Sequence, residues 1–330
     1  MDEEIEAVLR KQLLELLPAR WRGEESGLEE GVGGPYCWLG GEAAMTQSLH
    51  SIPVFYSERM LAEAGSFSPS AGKPRHVLAA WQGAELPITV RSITPASEMD
   101  LCLAHDPAYV RGVLEGKVSN GFGNTSLEVA RSLPYTSGAM IDASRAALEI
   151  GCACAPVSGF HHAQYDSAGG FCTFNGLVIA AQRLLAEGAV QWVLILDCDM
   201  HYGNGTEEIV ERLGLTESIT NVTFGRWFHQ PSHASAYLRH LRESAANFDE
   251  FDLILYQAGA DVHVNDPLGG VLTTEQMIER DQIVFDAARM SETPIAWNLA
   301  GGYQSPLRKV LDLHDNTMRA CAAAYVEGRS

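Results

Sequence analysis

Three apolar segments of this 330-residue chain end in the same way, and this repeated ending constrains the fold more than any other feature. The segments 193–196, 253–257 and 294–299 consist mainly of aliphatic residues, which favours strands that are buried on both faces. Each is followed by small residues and then by a polar side chain. Because helical patterns lie between such strands, the sequence predicts a single α/β domain whose polar groups meet at the carboxyl edge of a parallel sheet.

Shorter segments extend the pattern toward the N-terminus. Strands are predicted at 52–56, 88–90 and 153–157, and helices at 75–81, 107–114, 137–150 and 177–187. Residues 116–138 contain several glycines and Pro134, so they are predicted to form a long surface loop. Loops of this length in α/β domains often border a site, although a plain connection would also fit.

The first 44 residues differ from the rest of the chain. Apolar spacing through 2–18 predicts an amphipathic helix that ends at Pro18, and residues 22–44 are rich in glycine and glutamate, as linkers are. We therefore divide the chain into an N-terminal appendage, residues 1–44, and a catalytic domain, residues 45–330. The appendage packs on the domain, contacts a second subunit of a homo-oligomer or stays mobile, and the sequence leaves these alternatives open.

The composition argues against several classes of protein. A formal charge of −19 disfavours nucleic acid as a partner, because a phosphate backbone attracts basic surfaces. The sequence has no apolar run of about 18 residues, which argues against a membrane span, and its acidic N-terminus is unlike a secretory signal. The seven cysteines form no C-x-x-C pair and are expected to be reduced and mostly buried. We expect a cytoplasmic protein.

A group of potential metal ligands follows the strand at 193–196. In an extended chain Asp197, Asp199 and His201 lie on one face, and Asp261 follows the strand at 253–257. Carboxylate oxygens and one imidazole nitrogen suit zinc, and three protein ligands leave a position for water. Acidic residues at a strand end are also common as turn formers or helix caps, which is the structural alternative.

Hydrolysis of an amide also needs a proton acceptor, a proton donor and an oxyanion stabiliser. His161 and His162 suit the first two roles, and Tyr303 after a Gly-Gly pair suits the third. Asp197 and Asn204 are suitable partners for fixing the imidazole tautomers. The alternatives are a histidine pair without a role and a tyrosine of the core or of an interface.

Four motifs, in this order and spacing, resemble the histone deacetylase superfamily, which includes acetylpolyamine amidohydrolases. They read SGFHHAQYDSAGGFCTFNG, LDCDMHYGNGT, GADVHVNDPLGG and LAGGY, and the resemblance covers about residues 52–315. It implies the arginase-deacetylase fold, a single α/β domain around a mostly parallel eight-stranded sheet. It also implies zinc-dependent hydrolysis of an amide.

The resemblance assigns two ion sites. Asp199, His201 and Asp261 correspond to the zinc ligands of the family. Asp197, Asp199, His201 and Thr223 correspond to a structural site for a monovalent cation, K⁺ or Na⁺, which is lined largely by backbone oxygens. The resemblance therefore moves Asp197 from the zinc ligands to a supporting position.

The resemblance also assigns the catalytic side chains. His162 corresponds to the favoured general base and acid, and His161 to its electrostatic partner, which Asp197 orients. Tyr303 corresponds to the residue that hydrogen-bonds the substrate carbonyl. Asn204 stands where many members have Asp, and an uncharged partner lowers the pKa of His162 relative to a charged one.

The substrate tunnel is the least transferable part of the resemblance. Gly170 and Phe171 correspond to the wall that holds an acyl-lysine stem, Trp227 or Phe228 is the candidate for the facing wall, and Leu268 is expected at the rim. The sequence departs from the family at Tyr202, where a second histidine is usual, and in the short segment that carries Arg226.

The prediction is a zinc-dependent deacetylase that acts on an acylated amine, such as acyl-lysine. An alternative is a deacetylase of acetylpolyamines or of a secondary metabolite, but residues 116–138 are too short for the insertion that narrows the entrance in polyamine enzymes. A non-catalytic acyl-lysine-binding relative is disfavoured because every chemical position is filled. A two-manganese, arginase-type site would need more Asp and His ligands than these strand ends supply.

Overall fold

A parallel sheet runs through the centre of the computed structural model, which describes residues 49–326. Its order is β2-β1-β3-β7-β6-β4-β5, and every pairing between neighbours is parallel. The strands are β1 Ile52–Phe55, β2 Ile88–Arg91, β3 Cys152–Ala155, β4 Val193–Asp197, β5 Ile219–Thr223, β6 Leu253–Gln257 and β7 Ile295–Asn298. The predicted appendage, residues 1–44, lies outside the described residues.

Seven strands form this sheet within residues 49–326, whereas the family resemblance implied eight. Further pairings among these residues are isolated bridges, such as the one between Leu49 and Val326. One bridge does not fix an extended segment, so it adds no strand. The parallel order and the strands at the centre of the sheet agree with the expected fold.

Helices cover both faces of the sheet, as expected where helices connect parallel strands. In chain order they are α1 Lys73–Gly83, α2 Glu98–Leu101, α3 Pro107–Leu114, α4 Leu127–Ile150, α5 Gly176–Ala186, α6 Asn204–Arg212, α7 Ala234–Ala245, α8 Thr274–Met290 and α9 Arg308–Tyr325. None of the described helices has both the length and the apolar character that a membrane span requires.

Alternate residues of each strand pack into separate cores. Val193 and Ile195 of β4 join a cluster with residues of α4 and α5. On the other face, Trp297 of β7 lies with its ring centroid 5.8 Å from that of Trp81 on α1 and 5.7 Å from that of Phe285 on α8. Burial on both faces explains why the central strands are continuously apolar.

Helix α4 corrects the prediction of a loop through residues 116–138. The helix begins at Leu127, where the Ser126 side chain accepts a hydrogen bond from the backbone N–H of Val129, and it continues through Pro134. Proline lacks the N–H for one helical bond, and its presence suggested a break. The apolar face of α4 packs on β3 and α5, and this burial outweighs the lost bond.

Strand β5 was not predicted. Its sequence, ITNVT, alternates apolar and polar residues, and Thr220 and Asn221 interrupt the aliphatic run that marked the other strands. β5 lies at an edge of the sheet, where such polar positions are tolerated. The strand matters because it brings Thr223 beside Asp197 in the register.

Candidate active site

The carboxyl ends of β3, β4, β6 and β7 meet at one edge of the sheet and deliver the predicted site residues. Asp199 and His201 follow β4, Asp261 follows β6, and Tyr303 follows β7. One potential ligand atom from each of Asp199, His201 and Asp261 lies within 4.8 Å of the others. Register explains the convergence, because Asp197 at the end of β4 pairs with Gln257 at the end of β6.

The Nδ1 atom of His201 lies 3.2 Å from Oδ1 of Asp199 and 3.1 Å from Oδ2 of Asp261. Both carboxylates are buried, and burial together with the charge of Asp199 raises the pKa of Asp261 to about 7. Hydrogen bonds to the two carboxylates raise the pKa of His201 to about 11. Two buried carboxylates beside each other are costly unless a proton or a cation compensates their charge. This donor set fits a divalent metal with nitrogen and oxygen ligands, such as zinc.

Backbone groups fix the orientation of the two carboxylates. Gly301 donates its N–H to Oδ2 of Asp199 at 2.8 Å, and Met200 donates its N–H to Oδ1 of Asp261 at 3.1 Å. A Cβ atom on Gly301 would lie 2.0 Å from Oδ2 of Asp261. Only glycine permits this close approach of the chain after β7 to the carboxylates.

His161 lies beside the metal-ligand triad and is 3% exposed. Its Nδ1 is 2.7 Å from Oδ2 of Asp197, and its Nε2 is 3.7 Å from Oδ1 of Asp199. Burial disfavours the charged imidazole, but the carboxylates of Asp197 and Asp199 outweigh burial and raise the pKa of His161 to about 9. Asp197 therefore contacts His161 directly, in the supporting position that the resemblance implied.

His162 has a different partner. Its Nδ1 lies 2.7 Å from Oδ1 of Asn204, the first residue of α6. An amide oxygen accepts, so Nδ1 donates and Nε2 of a neutral ring keeps its lone pair. Burial and the neighbouring His161 ring, whose centroid is 4.1 Å away, lower the pKa of His162 to about 4.

Tyr303 completes the group. Its backbone N–H donates to Oδ2 of Asp266 at 2.8 Å, and its ring centroid lies 5.7 Å from that of Phe171. Burial and the neighbouring carboxylates raise the pKa of the phenol further above its ordinary value. The hydroxyl therefore stays protonated and remains a hydrogen-bond donor at neutral pH.

The hairpin after the tandem histidines forms one wall of the site. Gly170 and Phe171 both have positive φ, 51° and 66°. A Cβ atom on Gly170 would lie 2.2 Å from Cδ2 of His162, so this position requires glycine. The strained backbone of Phe171 turns an aromatic side chain toward Phe122 and Tyr303, with ring centroids 5.9 and 5.7 Å away.

A model of the histone deacetylase domain matches residues 70–224 and 213–318, well over half of the chain. The chain belongs to the histone deacetylase family. Family membership identifies it as a deacetylase or amidohydrolase, as the sequence predicted. The matched residues include all of the strand ends that form the site.

Relatives and solved structures agree with this family. The chain is 28% identical to an uncharacterized protein of Picosynechococcus over 255 residues, 68% of this chain and 81% of that protein. It is 27% identical to histone deacetylase 2 of Arabidopsis thaliana over 256 residues, 68% of this chain and 66% of the plant protein. An acetylpolyamine amidohydrolase of Mycoplana ramosa is 35% identical over 109 residues, 33% of this chain and 27% of that enzyme.

Two solved structures share the fold. The HD domain of HDA15 gives a TM-score of 0.67 at 22% identity and covers 86% of this chain and 91% of its own. An acetylpolyamine aminohydrolase of Burkholderia pseudomallei gives a TM-score of 0.65 at 17% identity. The match covers 83% of this chain and 99% of that structure. The predicted fold class is therefore confirmed.

One of the two candidates for the facing wall of this deacetylase, Phe228, lies in the interior of the protein. Phe228 is 2% exposed, and its ring packs against Phe224, Tyr237 and His240 with centroids 5.8, 5.3 and 5.9 Å away. The ring contacts described for residues 49–326 do not bring Phe228 opposite Phe171. The short segment after β5 turns the ring into the interior.

The other two tunnel candidates lie nearer the surface. Trp227 is half-buried, with its ring centroid 5.4 Å from that of His240, and its place opposite Phe171 stays a prediction. Leu268 is 39% exposed, and its carbonyl oxygen lies 3.2 Å from Nε2 of His201. This contact places Leu268 beside the metal-ligand triad, and its position at the rim of a tunnel stays a prediction.

Three supporting residues were missed by the sequence reasoning. Gln257 donates from Nε2 to Oδ1 of Asp197 at 2.9 Å, and its Oε1 accepts the N–H of Phe160 at 3.1 Å. Lys73 is fully buried and donates from Nζ to the carbonyl oxygens of Ala300 at 2.5 Å and Gly301 at 3.1 Å. Burial lowers the pKa of Lys73 to about 8.

Arg280 of α8 is the third missed residue. Its Nη1 donates to the carbonyl oxygen of Gly259 at 2.7 Å and to that of Cys198 at 3.4 Å. Its Nε donates to Oδ1 of Asp281 at 2.9 Å. Cys198 and Gly259 lie in the two segments that supply metal ligands. This fully buried guanidinium therefore connects the two segments through hydrogen bonds to their backbones.

Proposed function

We propose that this chain hydrolyses the amide of an acylated amine, with a zinc ion held by Asp199, His201 and Asp261. The observation that carries the proposal is the convergence of this triad, whose two carboxylates are buried, with His162 and Tyr303. Zinc, when bound, polarises the substrate carbonyl and lowers the pKa of the attacking water. The tandem histidines and the tyrosine supply the remaining chemistry.

His162 is oriented to move the proton. Asn204 accepts the Nδ1 proton, so Nε2 takes the proton of the attacking water and then delivers it to the leaving amine. His161, held by Asp197, supplies positive charge beside the reacting carbon. Tyr303 donates a hydrogen bond from its hydroxyl to the carbonyl oxygen as negative charge develops there, and it keeps its proton.

Metal-ligand variants test the proposal. Asp199→Ala and Asp261→Ala should remove both stoichiometric zinc and amidase activity, because two remaining ligands hold the ion poorly. Asp249→Ala, on an exposed 3₁₀ turn, is the matched control and should retain both. Zinc content by atomic emission and hydrolysis of an acyl-lysine peptide are measured on the same samples. Full activity without bound metal would refute the proposal.

Acyl-lysine is the substrate class that the mouth of the site favours. The side chains grouped around the wall and rim, Phe171, Phe122 and Leu268, are apolar and suit the aliphatic stem of lysine. An acetylpolyamine carries further ammonium groups, and these three apolar side chains offer them no charged partner. The test is a panel of acyl-lysine peptides, acetylpolyamines and acylated metabolites on the zinc-loaded protein. A higher kcat/KM for an acetylpolyamine would reverse the ranking.

We also propose a monovalent-cation site, for K⁺ or Na⁺, at Asp197, Asp199, His201 and Thr223. Its support is the buried carboxylate of Asp197, which accepts the Thr223 hydroxyl at 3.2 Å and the N–H of Asp199 at 3.2 Å. Raising KCl or NaCl should raise the Tm more than choline chloride at equal ionic strength. Equal curves in the three salts would exclude the site.

The other sequence predictions concern the environment of the protein. A cytoplasmic location, a homo-oligomer and the lack of a nucleic-acid or membrane partner stay predictions, with the formal charge of −19 as support against nucleic acid.

A further inference from the structure

Phe67 is an exposed aromatic residue that extends the wall of the active site. It is 78% exposed, and its ring packs edge-to-face on Phe171, with centroids 5.4 Å apart and planes at 87°. Exposure alone is ordinary, because single apolar side chains are common on surfaces. Contact with the residue that lines the site beside Tyr303 is what distinguishes Phe67.

The loop that carries Phe67 is held at several points. On one side, Asn124 donates from Nδ2 to the carbonyl oxygen of Ala64 at 2.9 Å. On the other side, the hydroxyl of Ser158 donates to the carbonyl oxygen of Ser70 at 2.9 Å. These bonds connect the loop to the segments around Phe122 and before the tandem histidines. The backbone of the loop is therefore held on both sides of Phe67, which keeps this residue beside Phe171.

The chemistry of this surface is apolar. Phe67, Phe171 and Phe122 form a continuous aromatic row, because both other rings contact Phe171. The inner part of the row faces Tyr303, where the scissile amide lies if the proposed function is correct. The outer part, Phe67, lies beyond the stem of the acylated amine and contacts whatever group the substrate carries next to it.

We propose that Phe67 is a specificity-determining residue that binds an apolar group next to the acylated amine, such as an aliphatic or aromatic side chain that neighbours acyl-lysine. The proposal rests on the proposed function for the position of the amide. Burial of half of a phenyl ring against such a group predicts about a tenfold effect on KM. The effect falls on KM because the contact is the same in the ground state and in the transition state.

The test compares Phe67→Ala with Met99→Ala, since Met99 on α2 is also 78% exposed. Three acetyl-lysine compounds are used on zinc-loaded protein: a minimal one with blocked termini, one with a neighbouring phenylalanine and one with a neighbouring arginine. Phe67→Ala should raise KM about tenfold for the phenylalanine compound only, with kcat unchanged. Met99→Ala should change none of the values.

Three results would overturn the inference. An equal loss for the minimal compound would mean that Phe67 only supports Phe171. No loss would mean that the exposed ring has no role in recognition, and a loss confined to the arginine compound would mean that it binds cations.

A binding measurement separates this inference from the proposed function. Two lysine-length hydroxamates, one with a terminal phenyl group and one without, are titrated calorimetrically into the zinc-loaded variants. Phe67→Ala should weaken the binding of the phenyl compound about tenfold and leave the affinity of the other compound unchanged. If the parent chain and Phe67→Ala bind the phenyl compound equally well, the inference is overturned. If none of the acetyl-lysine compounds is hydrolysed, the proposed function fails, while the hydroxamates still decide the role of Phe67.

Discussion

His105 provides a sharp test of how the wall of the active site is held. The side chain is fully buried, its Nδ1 donates to the carbonyl oxygen of Gln164 at 2.9 Å, and its Nε2 accepts the N–H of Asn175 at 2.7 Å. Only a neutral imidazole does both. Gln164 and Asn175 lie at the two ends of the hairpin that carries Phe171, so protonation of His105 breaks a bond at the base of that wall.

The expected loss of stability at low pH follows from the burial of His105. Burial lowers the pKa of His105 from its ordinary value of 6.5 to about 4. The unfolded chain therefore binds a proton at higher pH than the folded chain does. The contribution to stability is fully present above pH 6.5 and is lost as the pH falls toward 4, by roughly 3 kcal/mol in total and about 2 kcal/mol at pH 5.

The assay is urea unfolding at pH 8, 6.5 and 5, followed by tryptophan fluorescence and circular dichroism with zinc removed from every sample. Between pH 8 and pH 5 the parent chain should lose about 2 kcal/mol more of its free energy of unfolding than His105→Gln, because glutamine has no proton to gain. His76→Gln removes an exposed histidine and is the matched control. Identical pH dependence in the parent chain and in His105→Gln would refute the reasoning.

Three further substitutions address the catalytic group and its support. Tyr303→Phe should keep the zinc content but lower kcat by about 10²-fold or more, measured with an acetyl-lysine peptide, since an oxyanion donor is lost; unchanged turnover would remove that role. Gly170→Ala should abolish activity, because its Cβ would lie 2.2 Å from Cδ2 of His162. Gly123→Ala is the matched control, since Gly123 also has a positive φ but a Cβ there would have no atom within 4 Å, and kcat should be unaltered. Arg280→Met should weaken zinc binding about tenfold in a chelator competition, as loss of ligand-orienting contacts typically does, and an unchanged affinity would contradict that support.

The strand ends explain why much of the site could be predicted. Residues 193–196 and 253–255 are apolar on both faces of the sheet, so the polar residues that follow them had to lie at its edge. Asp199 and Asp261 thereby came together from different parts of the sequence. The local sequence pattern was sufficient to predict these site residues, because the carboxyl ends of parallel strands lie at the same edge of the sheet.

Residues that act from a helix interior could not be found in the same way. Lys73 stands before a proline at the start of α1, and Arg280 stands within an otherwise ordinary amphipathic helix. Both have the spacing of the buried face, since Lys73 lies four residues before Val77 and Arg280 lies three residues after Met277. Charged side chains are seldom fully buried, so the residue type, and not the periodicity, led the sequence reasoning to pass over them.

The register of the sheet connects the hydrophobic core to the chemistry. Asp197 pairs with Thr223 on one side and with Gln257 on the other, and both side chains hydrogen-bond its carboxylate. Asp197 shares the face of β4 with Val193 and Ile195, which pack into the core with α4 and α5. A slip of one residue would move these side chains to the opposite face. The apolar residues that stabilise the strand therefore also fix the position of the carboxylate that holds His161.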